Sequence, residues 1–252
     1  MYDQSHLVVI DAIDGAGKST VIRAMTDWLK QQHLTIFDLV EYQRNHHALP
    51  DLEIHDSPLH AGIDVLLSAE PTYSWVGAAL REEIIKTHSS YAYHGRVAAE
   101  AFALDRQVLF TRVILPFLQA KPNRWVIQDR GVISSLAYQP LQDEHIHLEW
   151  LLSLEGNRTE LARPPELLLL LRLAPEEAMQ RLENRGEKID GHIYETATFQ
   201  EKLAFRYRDP AVLAPYRDAG TKIVEIDASQ SPEVVGKAAC EALATILVPM
   251  KE

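Results

Sequence analysis

Leu7-Val8-Val9-Ile10-Asp11-Ala12-Ile13, running straight into Asp14-Gly15-Ala16-Gly17-Lys18-Ser19-Thr20, decides how this 252-residue chain is read. The first seven residues are mostly apolar and β-branched, which predicts a buried strand. The next seven hold two glycines and an alanine, then a lysine and two hydroxyls. From about Lys18 to Gln32, Val21, Ile22, Met25, Trp28 and Leu29 repeat at helical spacing. A strand that passes through a glycine turn into a helix is suited to anions. Backbone N–H groups curl around phosphates, and the helix N-terminus adds partial positive charge. Residues Asp14, Gly15, Ala16, Gly17, Lys18, Ser19 and Thr20 are therefore expected to cradle ATP. Lys18 would reach its β- and γ-phosphates, and the Ser19 hydroxyl would ligate Mg²⁺. The full pattern has glycine where this chain has Ala12. That alanine would strain the turn if the position needed φ > 0.

Outward from this segment, Leu34 to Val40 reads as a second strand, and residues 43–66 look like an aperiodic excursion. Helical patterns resume at Trp75 to Lys86 and at Arg96 to Leu118. Trp125 to Gln128 is a short strand that closes in Asp129-Arg130. Leu167 to Leu173 and Thr221 to Asp227 are two more strands, each leading into a helix opened by Pro175-Glu176-Glu177 or Ser231-Pro232-Glu233. Five strands alternating with helices imply an α/β fold, a five-stranded parallel sheet with helices on both faces. Ligands in such sheets bind at the carboxyl ends of the strands. The most chemical segments, 14–20, 70–72 and 129–130, all fall at those ends.

Composition narrows the function classes. Apolar residues make up 46% and charged residues 24%, the balance of an ordinary globular protein. A net charge of −11 argues against nucleic acid as a partner. The single Cys240 excludes an internal disulfide framework and suits a reducing compartment. No apolar run approaches the length of a membrane span, and the first residues lack a signal peptide's pattern. A cytoplasmic protein is the expectation. Eleven histidines show no metal-ligand spacing.

Three further clusters carry candidate chemistry. Asp129 can hold a Mg²⁺ shell, and Arg130 can clamp an acceptor phosphate through its fork. Phe102 and Arg106 lie four residues apart on one helical face. They offer a ring for a base to stack on and a guanidinium for a base edge or phosphate. Arg181, Arg185 and Lys188, near Gly186 and Gly191, could close over ATP. A solvated helix end is the alternative reading of those three.

By this point the residues resemble the thymidylate kinase family, across most of the chain except 43–66 and 140–164. Ile13 to Thr20 is similar to that family's P-loop. Glu70-Pro71-Thr72, with Gly77 and Arg81, resembles its Glu-Pro segment after the second strand. Phe102-Ala103-Leu104-Asp105-Arg106 resembles its Phe-Ala-x-Asp-Arg helix. Asp129-Arg130 with Ser134-Ser135-Leu136-Ala137-Tyr138-Gln139 resembles its Asp-Arg-Tyr-x-x-Ser-Ser-x-Ala-Tyr-Gln signature. Arg185, Asp190 and Tyr194-Glu195 look like its lid, here about 183–196. The resemblance implies one three-layer αβα kinase domain over 1–252, with a helical lid and an insertion at 43–66. It also implies a homodimer acting on a small nucleotide acceptor, dTMP first.

Roles follow from the same resemblance. Asp14 would face the acceptor sugar's 3′-hydroxyl, Phe102 would stack on thymine, and Arg106 would hydrogen-bond the base. Arg130 would hold the acceptor phosphate, with Glu70, Arg81, Ser135 and Tyr138 completing the acceptor pocket. Lys18 and a lid arginine, Arg185, would neutralise charge during transfer. The departures are Ala12, Gly131 where tyrosine is expected, Ile189 where arginine usually precedes the lid aspartate, and Arg172 where a strand usually ends in Asp. Transfer to another nucleotide or a deoxynucleoside, and a nucleotide-binding module without turnover, stay open beside transfer to dTMP.

Overall fold

A computed structural model describes residues 6–51, 62–85, 93–184 and 197–247. Its strands are β1 (His6–Asp11), β2 (Ile36–Asp38), β3 (Val65–Ala69), β4 (Trp125–Asp129), β5 (Leu167–Arg172) and β6 (Lys222–Asp227). They form one sheet in the order β2-β3-β4-β1-β5-β6, and every neighbouring pair is parallel. Central strands of a parallel sheet are covered on both faces and need continuous apolar runs. β1 and β5 meet that need, with His6 to Asp11 and Leu167 to Leu171 all buried.

The sheet has six strands where the sequence predicts five. The additional one is β3, Val-Leu-Leu-Ser-Ala, which straddles the end of the stretch read as an excursion. Glu70 therefore follows the third strand. The excursion also contains order at its start. The predicted strand over Leu34 to Val40 stops at Asp38, whose side chain accepts a 3.0 Å hydrogen bond from the Glu41 N–H and caps a helix. That helix is α2 (Leu39–His46), after α1 (Lys18–Gln31). Residues 52–61 of the excursion lie outside the described residues.

Next come α3 (Trp75–Ala79), continued by a widened turn over Leu80–Ile84, and α4 (Gly95–Leu109). A second widened turn, Phe110–Ile114, joins α4 to α5 (Leu115–Ala120). α6 (Val132–Gln142), α7 (Leu148–Ser153) and α8 (Glu155–Leu161) follow β4. α9 (Pro175–Asn184), α10 (Ala197–Arg206) and α11 (Pro210–Asp218) separate β5 from β6, and α12 (Pro232–Ala244) comes last. Helices flank the sheet: α1 packs on α12, while α6 gathers α4, α8, α10 and α11 around it.

Register places the chemistry. Ile10 of β1 and Ala69 of β3 both pair with Asp129 of β4, so these strands end level with one another. The turn after β1, Glu70 after β3 and Arg130 after β4 consequently open at one edge.

Candidate active site

At that edge lies a cavity of about 660 Å³. Of the sequence-predicted residues, Asp14, Lys18, Ser19, Glu70, Arg81, Phe102, Arg106, Asp129, Arg130, Ser135 and Tyr138 line it. Gly15, Ala16 and Gly17 of the turn and Thr20 of α1 are not among the lining residues. Arg185, with the rest of the predicted lid from 185 to 196, lies outside the described residues.

The turn is built on two glycines. Gly15 and Gly17 have φ of +77° and +94°, the region that favours glycine. A Cβ on Gly15 would also overlap the carbonyl oxygen of Ala178 in α9. Ala12 is not among the positive-φ residues, so its methyl group strains nothing. α1 starts without a side-chain cap, leaving first-turn N–H groups for an anion. Lys18 is buried, and its Nζ donates to the carbonyl oxygens of Ala12 and Ile13, each at 3.5 Å.

Arg130 and Asp14 form the electrostatic centre. Arg130 has φ +70°, a strained conformation for an arginine, directly after β4. Its Nη1 donates to Ser134 Oγ at 3.2 Å and to the Tyr138 hydroxyl at 3.1 Å, and its Nη2 donates to Asp14 Oδ1. Asp14 Oδ2 accepts from the Tyr138 hydroxyl at 3.1 Å and from Gln200 Nε2 at 3.3 Å. Burial pushes the Asp14 pKa upward, but Arg130, Lys18 and those hydrogen bonds outweigh it and hold the carboxyl below its usual range. Beside it, Asp129 is raised by burial against the pull of Lys18 and Arg130, and its Oδ1 is buried without a partner. An orphaned acidic oxygen next to the Gly-Lys-Ser turn fits a divalent cation's outer shell. Among the described residues no group of three or more His, Cys, Asp or Glu could hold a metal unaided, and a cation here would need phosphate oxygens and water to complete its shell.

The opposite wall is an ion-pair network. Arg106, 1% exposed, donates from Nε to Glu70 Oε1 at 3.2 Å and from Nη2 to Glu70 Oε2. Nη1 donates to Asn157 Oδ1, and Nη2 also reaches Ser135 Oγ at 3.3 Å. Four of the five guanidinium N–H groups are thereby engaged, leaving one Nη1–H. Glu70 also accepts from Gln128 Nε2 at 3.0 Å. Burial, set against Arg106 and helped by Glu160, pushes the Glu70 carboxyl up to about 8. Arg81 stacks 3.7 Å over the Tyr73 ring and donates to the Thr72 carbonyl at 3.1 Å. Arg44, from α2, covers the same ring at 4.3 Å and bonds its hydroxyl at 2.6 Å.

Several of these partners were not singled out from the sequence. Asp11 is fully buried and accepts from Tyr207 at 2.6 Å and Ser134 at 2.7 Å. Only its place before the glycine turn could have marked it. Arg44, Tyr73, Asn157, Glu160 and Gln200 carry no local signal, because each acts on a residue distant in sequence. Arg172, noted as a departure, pairs with Glu225 at 2.6 Å and the Tyr207 carbonyl at 3.1 Å, fixing β5 to β6 and α10's end.

A parallel sheet with a glycine-lysine-serine turn at its carboxyl edge, sharing one cavity with Arg130, defines a P-loop phosphotransferase. The family model described as thymidylate kinase matches residues 54–239, well over half of the chain. A "Probable thymidylate kinase" of Pyrococcus abyssi (strain GE5 / Orsay) is 32% identical over 187 residues, 73% of this chain and 72% of that protein. One from Thermococcus onnurineus (strain NA1), with the same description, is 32% identical over 205 residues, 79% of this chain and 81% of its own. A third, from Methanosphaera stadtmanae, is 26% identical over 230 residues, covering 90% and 92%. The chain belongs to the thymidylate kinase family.

Proposed function

We propose that this protein transfers the γ-phosphoryl group of ATP to the phosphate of dTMP, giving dTDP and ADP. The observation that carries the reading is Lys18 and Arg130 on one cavity, with Asp14 bound to Arg130 and close enough to Lys18 to lower its own pKa. Lys18 and the N-terminal turn of α1 hold the ATP phosphates. Arg130 holds the acceptor phosphate opposite them. In-line transfer then needs positioning and charge stabilisation more than a base. Phe102 would offer its ring to thymine, and the remaining Nη1–H of Arg106 would serve the base edge. Asp14 Oδ1 carries one partner, so a lone pair remains for the sugar 3′-hydroxyl. Glu70, Arg81, Ser135 and Tyr138 close the acceptor pocket. Ser19 and Asp129 would hold the Mg²⁺ shell, and the ion would neutralise phosphate charge when bound. Arg185 would add positive charge from the 183–196 segment.

The chain is read as one kinase domain acting as a cytoplasmic homodimer. Val97 and Leu104 support the dimer, since they expose apolar side chains one heptad apart on α4. Among the described residues no helix is long and apolar enough to cross a membrane.

An ADP-release assay across nucleoside monophosphates tests the reading. dTMP should give the highest kcat/KM. Turnover of other monophosphates with dTMP inert would refute the acceptor assignment.

A further inference from the structure

The stretch 140–164 contributes a buried acid that the proposed reaction has not used. Glu160 of α8 is fully buried. Both of its oxygens accept from the Val132 N–H, at 3.1 and 3.0 Å, at the first residue of α6. Oε2 lies 3.3 Å from Arg106 Nε, and Oε1 accepts from the Tyr216 hydroxyl at 3.5 Å. This carboxylate therefore touches the guanidinium of the base wall and the backbone two residues beyond Arg130.

Small residues bring it there. A Cβ on Gly156 would overlap the Ala103 carbonyl oxygen, so α8 lies directly on the α4 backbone at that point. Asn157 is the next residue, and Glu160 is one helical turn beyond Gly156 on the same face. Ala103 and Arg106 stand three apart on α4 in the same way. Gly131 completes the fit: a Cβ there would sit 2.8 and 3.1 Å from the two Glu160 oxygens. Where the resembling signature has tyrosine, this chain has the space that the Glu160 carboxylate fills.

We propose that Glu160 is a positioning residue for the acceptor pocket: its carboxylate ties Arg106 to the first turn of α6 and so sets how Arg106 and Arg130 face the acceptor. The proposal rests on the phosphotransfer reading above. Gly131 and Glu160 form one device, in which the small residue admits the acid.

Glu160→Gln is the test. Glutamine keeps an acceptor oxygen for the Val132 N–H, and its amide can donate to the Tyr216 hydroxyl, but it removes the negative charge that faces the Arg106 guanidinium. In the full-length protein the KM for dTMP should rise about tenfold or more, while the KM for ATP stays within about twofold. A shared carboxylate also predicts coupling. Gly131→Ala should raise the dTMP KM in the wild-type background and have a smaller effect in Glu160→Gln. An unchanged dTMP KM, equal rises for both substrates, or additive effects would each overturn the proposal. If Glu160→Gln does not fold, Gly131→Ala decides alone, and an unchanged dTMP KM overturns it. Wild-type turnover checks the underlying reading separately: if another monophosphate is the acceptor, the same comparison is made with that one.

Discussion

Replacing Arg130 with alanine isolates the acceptor half of the reaction. The arginine's fork can give an acceptor phosphate two charge-assisted hydrogen bonds, each worth roughly 1.5–3 kcal/mol. Part of that gain only replaces contacts that Arg130 already makes with Asp14, Ser134 and Tyr138. We therefore take the lower end, about 3 kcal/mol, which is on the order of a hundredfold in kcat/KM for dTMP. Arg130→Lys keeps the charge without the fork and should fall between alanine and wild type. The assay is ADP release with dTMP and ATP titrated separately. The loss should lie chiefly in the KM for dTMP, because Lys18 and the glycine turn are untouched. If the dTMP KM moves less than about threefold, or the ATP KM rises as far, Arg130 is not the acceptor's clamp.

Gly15→Ala forces a side chain into φ +77° and against the Ala178 carbonyl. It should lower stability by about 1–3 kcal/mol in denaturant titration and raise the ATP KM. Ala12→Gly restores the full loop pattern but relieves no strain, so the ATP KM should stay within about twofold. Glu70 titrates near 8 when folded, against 4.5 for the unmodified group. The folded state therefore holds a proton that the unfolded chain has released, and stability falls as pH rises from about 5 to 8. The contribution is at most about 1.4 kcal/mol per pH unit. Melting temperatures of wild type and Glu70→Gln across that range should converge toward low pH, and parallel curves would refute the assignment.

Local chemistry was legible in the sequence, and long-range pairing was not. The Leu7 to Thr20 segment declared a strand, a turn and a helix because each has its own short-range signature. Asp129-Arg130 at a strand end and the Phe102/Arg106 face gained meaning only beside the glycine-lysine-serine turn, and both border the cavity. β3 was missed because five residues, Val65 to Ala69, are too few to show a period next to an irregular stretch. α2 was missed because the apolar run before it masked the Asp38 cap, although the acid three residues on was visible. Arg106 shows the deeper limit. Its partners Glu70, Asn157 and Glu160 lie 36, 51 and 54 positions away; the packing of α8 on α4 brings the last two to it, and the end of β3 brings Glu70. Sequence predicts a guanidinium directed at a ligand; the fold has already committed most of it to carboxylates and an amide.

Asp14 acts as a tethered stand-in for substrate. Its carboxylate contacts Arg130 and lies near Lys18, so both cations face a fixed anion within the fold. An incoming anion must outbid an aspartate that is already present at high effective concentration. Singly charged buffer ions gain little in that exchange, whereas the dianion of a phosphate monoester or the polyanion of a triphosphate can win it. On the phosphotransfer reading proposed above, the cleft would select by charge number before any base is read.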